Sequence, residues 1–296
     1  MTRRFITLNH HRFSLHDWGP RDAPALVMLH GFPEYGGAWA EVAAALPGFH
    51  CIAPDLRGFG HSWAPQDPAN YDLRLLVSDV AALIRSLPGP VPVVAHDWGA
   101  ILAYMLAIWH PDLVSRLVVI NGVHPGPFQR EIARGGAQTE ASQYIHYLRA
   151  PGAEARLARD GFDALRRLFA AKMDMSWLRG EVLEQYLTEW ARPGVLTGML
   201  NWYRASPLQV AKPGEPIANP RVLSPDNGRI SMPHLVIWGQ DDTALLPCTL
   251  TGLDGYCDDL EIQKVAGADH WICHQMPKVV AKLIQGFMAQ GQTSGA

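Results

Sequence analysis

The stretch from Val91 to Trp109 constrains this chain more than any other. Val91-Pro92-Val93-Val94-Ala95 is an apolar run of the kind that forms a short buried strand, and Ala100 to Trp109 is an apolar run of helical length. Only His96-Asp97-Trp98-Gly99 lies between them. A strand that becomes a helix within four residues needs a tight corner with small neighbours, and Ala95 and Gly99 meet that need. The corner lifts Asp97 clear of the sheet, beside the free N–H groups of a helix start, where negative charge is favoured. An Asp that merely caps the helix would give the same local pattern, so the decision rests on partners elsewhere in the chain.

Composition narrows the class. The 296 residues are 48% hydrophobic and 18% charged, enough for one large α/β domain with an insertion. A formal net charge of −3 gives no electrostatic case for nucleic acid or an acidic membrane as partner. The start, Met1 to His10, has basic residues without a following apolar core, so it does not read as a signal peptide. No apolar run approaches the ~20 residues of a membrane span. Cys51, Cys248, Cys257 and Cys273 lack C-x-x-C spacing and read as free thiols of a cytoplasmic protein, with no metal site.

Strands and helices alternate along the first part. Phe5 to Leu8 and Arg12 to His16 read as strands around a turn. Ala25 to Leu29 is a strand buried on both faces, and Tyr35 to Leu46 is helical. The strand His50 to Pro54 leads into a Gly-punctuated loop, Asp55 to Ser62. Leu73 to Leu87 has helical spacing, and Leu117 to Ile120 is another buried strand. From about His124 to Ala205 only helical spacing appears, followed by a Pro- and Gly-containing connector. Strands then resume with His234 to Trp238 and Leu260 to Ile262, and Pro277 to Met288 closes the chain as a helix. The expectation is a mostly parallel sheet flanked by helices and interrupted by a helical cap: core over 1–123, cap and connector over 124–230, core again over 231–296. Residues 291–296 are expected to fray.

Two later loops supply partners for Asp97. One strand ends in Gly239-Gln240-Asp241-Asp242 and the next in Gly267-Ala268-Asp269-His270-Trp271, at the sheet edge where active groups gather. Together with His30-Gly31-Phe32-Pro33-Glu34, Asp55-Leu56-Arg57-Gly58-Phe59-Gly60-His61-Ser62 and His96-Asp97-Trp98-Gly99, these motifs resemble the α/β-hydrolase-fold epoxide hydrolases, in family order over nearly the whole chain. Ala95 departs from the glycine usual in the family.

The resemblance implies an α/β-hydrolase fold and the hydrolysis of a small-molecule epoxide by water, with no cofactor. It makes Asp97 the nucleophile, His270 the base and Asp242, fifth in W-G-x-x-D, the acid, with Asp241 as fallback. The oxyanion donors would be the backbone N–H groups of Phe32 and Trp98, beside a cis Phe32–Pro33 bond. A carboxylate suits displacement at saturated carbon because it forms an ester that water can cleave, whereas a serine would form a stable ether. An epoxide oxygen leaves as a basic alkoxide and needs an O–H donor. Tyr144, seven residues before Pro151, and Tyr203 in Asn201-Trp202-Tyr203-Arg204 match the family's two cap tyrosines; Tyr147 does not.

Two other readings use the same elbow. Haloalkane dehalogenases share Trp98 but commonly carry Asn where this chain has Phe32, and some need a carboxylate near Asn121; fluoroacetate dehalogenases carry Arg where Trp98 stands. A noncatalytic binding protein of the same fold is the third reading. Plainer roles suit the remaining polar residues. His30 supports the Phe32 loop, His61 and His274 are surface or loop histidines, and His96 is a satisfied buried group. Asp269 ranks below Asp242, Glu34 has no chemical step, and Asp55 orients its loop through Arg57. Phe128, Trp177, Trp190 and Trp202 are candidates for the pocket wall. Substrate identity, selectivity and oligomeric state are not legible from the sequence.

Overall fold

The computed structural model describes residues 1–170 and 172–290; the 291–296 tail, expected to fray, lies outside the described residues. The strands are β1 (Thr2–Leu8), β2 (His11–Trp18), β3 (Ala25–Leu29), β4 (His50–Pro54), β5 (Val91–His96), β6 (Val114–Ile120), β7 (His234–Gly239) and β8 (Leu260–Val265). They form one sheet in the order β1-β2-β4-β3-β5-β6-β7-β8. β1 and β2 pair antiparallel with their neighbours and the rest are parallel. The central strands are Val-, Ile- and Leu-rich because both their faces are covered. Val27, Val93 and Val119 pack on one face, with Met28, Val94 and Val118 on the other.

The core helices are α1 (Ala40–Ala44), α2 (Leu73–Arg85), α3 (Trp98–Trp109), α11 (Ile272–Gln275) and α12 (Pro277–Ala289). The helix expected over Tyr35 to Leu46 is shorter, since Gly36 to Trp39 forms a 3₁₀ turn before α1. Gly36 lies so close to His16 that a Cβ there would fall 2.6 Å from the imidazole, which holds the turn against β2. α3 is apolar all round because it packs between the sheet and α2, with Trp98 at its start against Trp202 and Tyr203.

Between β6 and β7 the chain passes through α4 (Pro125–Ile132), α5 (Ala137–Ala141), α6 (Tyr144–Arg149), α7 (Ala153–Leu157), α8 (Arg159–Ala170), α9 (Gly180–Trp190) and α10 (Val195–Ala205). In α8 the backbone turns left-handed at Asp160, Gly161 and Phe162, then resumes as an amphipathic helix burying Leu165 and Phe169. α10 sits directly on the core: Trp202 Nε1 donates to Arg57 O at 2.8 Å, and Gly198 meets Gly58 so closely that a Cβ on it would lie 2.7 Å from the Gly58 Cα. Among the described residues no helix is long and apolar enough to cross a membrane.

Candidate active site

Asp97 ends β5 and starts α3 with φ 51° and ψ −119°, a conformation in which a non-glycine residue is strained. Its side chain makes no capping bond to α3, unlike Asp72, which caps α2 by accepting from Arg74 N. The cap-only explanation therefore fails. The corner is tight enough that a Cβ on Gly99 would meet Leu29 O at 2.3 Å, and one on Gly31 would meet the Asp97 Cβ at 2.3 Å. The first glycine-like position holds Ala95, whose methyl is fully buried in the core.

The Asp97 carboxylate is addressed from two sides. Phe32 N donates to Oδ1 at 2.7 Å, and His270 Nε2 lies 3.6 Å from Oδ2. The Phe32–Pro33 bond is cis. Trp98 is the first residue of α3, so its N–H has no partner one turn back and is available as a second donor. Burial acts to raise the Asp97 pKa, but the neighbouring imidazoles of His270 and His96 and the Phe32 N–H outweigh it and hold the group below the usual value.

Asp242, in the loop after β7, is fully buried and its carboxylate accepts four hydrogen bonds: Ala244 N and Leu245 N on Oδ1, Asn121 Nδ2 and His270 Nδ1 on Oδ2, all at 2.8 to 2.9 Å. Such an acceptor-only group fixes the proton of His270 on Nδ1 and turns Nε2 toward Asp97. Burial works against charge on His270, yet the carboxylates of Asp242 and Asp97 raise its pKa well above the ordinary histidine value. Asn121, where some dehalogenases need a carboxylate, instead orients Asp242. Asp241 is exposed and Asp269 is occupied with Trp271 N and Asp174 N.

A cavity of about 200 Å³ opens over Asp97 and His270, and Tyr144 and Tyr203 share its wall with Phe32. The two phenol rings are 6.2 Å apart and nearly perpendicular; Tyr203 also packs edge-on against Trp98 and Phe32. Tyr147 is turned to solvent on the same helix. Burial, reinforced in Tyr144 by the charges of Asp97 and Asp242, pushes both phenols well above their ordinary pKa, so both keep their protons. A smaller cavity of about 20 Å³ adjoins the same three residues, Asp97, Tyr144 and Tyr203, with otherwise apolar walls that include Phe128.

Several sequence expectations are corrected. The main cavity is walled by Leu168, Phe169 and Met173 rather than by Trp177, Trp190 or Trp202. The amphipathic spacing of α8 was the available signal for the first two. Trp177 stacks on His274 at 3.8 Å, and Trp202 lies under Trp98. His274 is not a surface group: its Nε2 lies 2.6 Å from Glu34 Oε1, and Glu34 also bonds His96 Nδ1 at 3.0 Å. Arg57 pairs with Asp79, while Asp55 binds His16, Gly36 N and His61 N. His61 does lie on a loop, 3.3 Å from Glu189. His30 holds the Phe32 loop as expected, bonding Gly31 O through Nδ1 and accepting Leu56 N on Nε2. Among the described residues no cluster of His, Cys, Asp or Glu could hold a metal ion.

The chain is 31% identical over 274 residues to the AB hydrolase superfamily protein YfhM of Bacillus subtilis, covering 91% of this chain and 92% of the relative. It is 29% identical over 288 residues to human Epoxide hydrolase 4, covering 92% and 74%. A solved structure described among novel epoxide hydrolases from metagenomes of hot environments superposes with a TM-score of 0.85 at 33% identity, covering 97% and 98%. The model of the alpha/beta hydrolase fold family matches residues 24–277, and the chain belongs to that family.

Proposed function

We propose that this protein is an epoxide hydrolase that adds water to a small-molecule epoxide to give a vicinal diol. The observation that carries the reading is one cavity with Asp97 and His270 on its floor and the hydroxyl-bearing Tyr144 and Tyr203 on its wall. In this reading Asp97 Oδ2 attacks a ring carbon while both phenols donate to the ring oxygen. Attack moves negative charge from Asp97 to that oxygen, so the field that kept the phenols weakly acidic weakens as a stronger base faces them. The leaving oxygen takes a proton and an alkyl ester remains on Asp97.

His270 then activates water against the ester carbonyl, with Asp242 supporting the imidazolium. The oxyanion forms on Oδ1, where the Phe32 N–H already points and the Trp98 N–H is the second donor; losing such a donor typically costs about 10²–10³ in rate. No step calls for a cofactor. Residues 124–230 act as the cap that carries both tyrosines, over a core of 1–123 and 231–296, and the cytoplasm is the proposed location. A dehalogenase lacks support here, because Phe32 offers no side-chain donor for a halide.

Single turnover in ¹⁸O-water tests the reading. The label should enter Asp97 while unlabelled carboxylate oxygen enters the diol, and His270→Gln should accumulate an adduct on the peptide containing Asp97. Direct entry of label into the diol with no adduct would overturn the covalent route. Faster halide release from haloalkanes than diol formation would overturn the substrate class.

A further inference from the structure

One cap helix grips three consecutive residues of the loop that presents the Phe32 N–H. From α9, Trp190 Nε1 donates to Pro33 O at 2.7 Å and the Tyr186 hydroxyl donates to Glu34 Oε1 at 3.4 Å. The Tyr35 hydroxyl donates to Gln185 Oε1 at 3.2 Å. The core holds this loop at its two ends, through His30 Nδ1 on Gly31 O and Gly36 N on Asp55 Oδ1, and at the Glu34 side chain, through His96 Nδ1 and His274 Nε2. The Pro33 carbonyl, next to Phe32, is held by the cap. Trp190 is buried, its ring fixed by Tyr186 at 5.6 Å and Phe162 at 5.8 Å, and it takes no part in the cavity wall.

We infer that Trp190 is a positioning residue for the oxyanion donor: its indole N–H anchors Pro33 and thereby sets the Phe32 N–H against Asp97 Oδ1. The inference rests on the ester mechanism proposed above and assigns it a cap residue that never meets substrate. Misplacement by a fraction of an ångström is costly for a preorganised donor.

The two half-reactions feel that donor differently. During alkylation the Asp97 carboxylate loses charge, so the Phe32 bond, already made in the resting enzyme, gives no advantage to the attack. During hydrolysis full negative charge returns to Oδ1, and the donor matters most. Removing the Trp190 N–H therefore slows ester hydrolysis and spares alkylation. In a two-step reaction with an accumulating ester, kcat and KM then fall together and kcat/KM is preserved. Simple loosening of the fold has no reason to produce that pairing.

The test compares wild type with Trp190→Phe, and with 3-benzothienylalanine at position 190, which keeps the bicyclic ring and replaces N–H by sulfur should the phenylalanine variant fold poorly. On an epoxide that wild type turns over, kcat and KM should both drop about 5- to 10-fold, with kcat/KM held within about twofold. Quenched intact-mass measurement should show a larger steady-state fraction of alkylated enzyme. Phe162→Leu, which disturbs the same packing but not the Pro33 carbonyl, should lower thermal stability without that pairing. Unchanged constants in the sulfur analogue, or a fall in kcat at constant KM, overturns the inference. Absence of any adduct in His270→Gln would instead overturn the ester mechanism beneath it.

Discussion

The guanidinium of Arg149, five residues beyond Tyr144 on α6, donates through Nε to the backbone carbonyl of Tyr203 at 2.7 Å. Its other nitrogens bond Leu208 O and Ser206 O at 3.0 Å each. One half-buried cation thus ends α10 and ties the helix of one tyrosine to the helix of the other, satisfying carbonyls that would otherwise be orphaned. Arg149→Met should separate the two phenols and slow alkylation about 10-fold, in line with a misplaced pair of donors. Stopped-flow measurement of the alkylation phase checks this; a rate equal to wild type would show that the tyrosines are positioned by other contacts.

Tyr144 and Tyr203 face one cavity with their protons retained, so each should supply part of the stabilisation of the opening ring. Tyr144→Phe and Tyr203→Phe should each reduce kcat/KM for an epoxide roughly 10²-fold, within the range of a positioned acid, and the double variant should be nearly inactive. Steady-state diol formation is the measurement, and full turnover by the double variant would remove the tyrosines from the chemistry.

His270 owes its raised pKa to two carboxylates acting against burial, one of them Asp97. Asp97→Asn removes one negative charge and should lower the His270 pKa, shifting its imidazole titration toward lower pH in NMR spectra of the folded protein. Alkylation removes the same charge. The base is therefore easier to deprotonate in the ester than in the free enzyme, and the acid limb of kcat should lie below the His270 titration of the resting protein. An unmoved His270 titration in the Asp97→Asn variant would contradict this coupling.

Acid stability should depend on two histidines that line neither cavity at Asp97. Burial lowers the pKa of His124 and of His234 to about 4, although each bonds a backbone carbonyl. His234 Nδ1 contacts Leu117 O and its Nε2 meets the Tyr104 hydroxyl at 2.9 Å, an arrangement that suits the neutral ring. The unfolded chain protonates near 6.5, so both groups contribute fully above that pH. Their contribution falls as pH drops from about 6.5 toward 4, by up to about 3 kcal/mol each. Urea unfolding over this range should show the loss, with a shallower slope in His234→Gln. Equal slopes would place the acid sensitivity elsewhere.

Local sequence was enough for the frame. A strand, Asp97 and a helix in immediate succession leave the chain one way to turn, and the small Ala95 and Gly99 are what that turn tolerates. The apolar runs at β3, β5, β6 and β7 have the residue pattern of strands covered on both faces. The loops after β7 and β8 bring Asp242 and His270 to one edge because parallel strands share a carboxyl end. Each of these features is written within a few neighbouring residues.

Relations set by packing between distant segments could not be read that way. His274 looks like a loop histidine until the turn at Glu34, 240 residues earlier, is folded against it. Arg57 sits two residues from Asp55 yet pairs with Asp79 on α2. Four cap aromatics looked equally fit to wall the pocket. Helix rotation puts only Phe128 beside the smaller cavity, sets Trp190 against Pro33, and leaves the main wall to Leu168, Phe169 and Met173. Sequence alone determined which backbone elements form and which side chains can carry chemistry, because strand pattern, turn sterics and motif spacing are local. The tertiary structure decided which partner each buried polar group meets and which aromatic faces the cavity, because those depend on how helices far apart in the chain dock and rotate against one sheet.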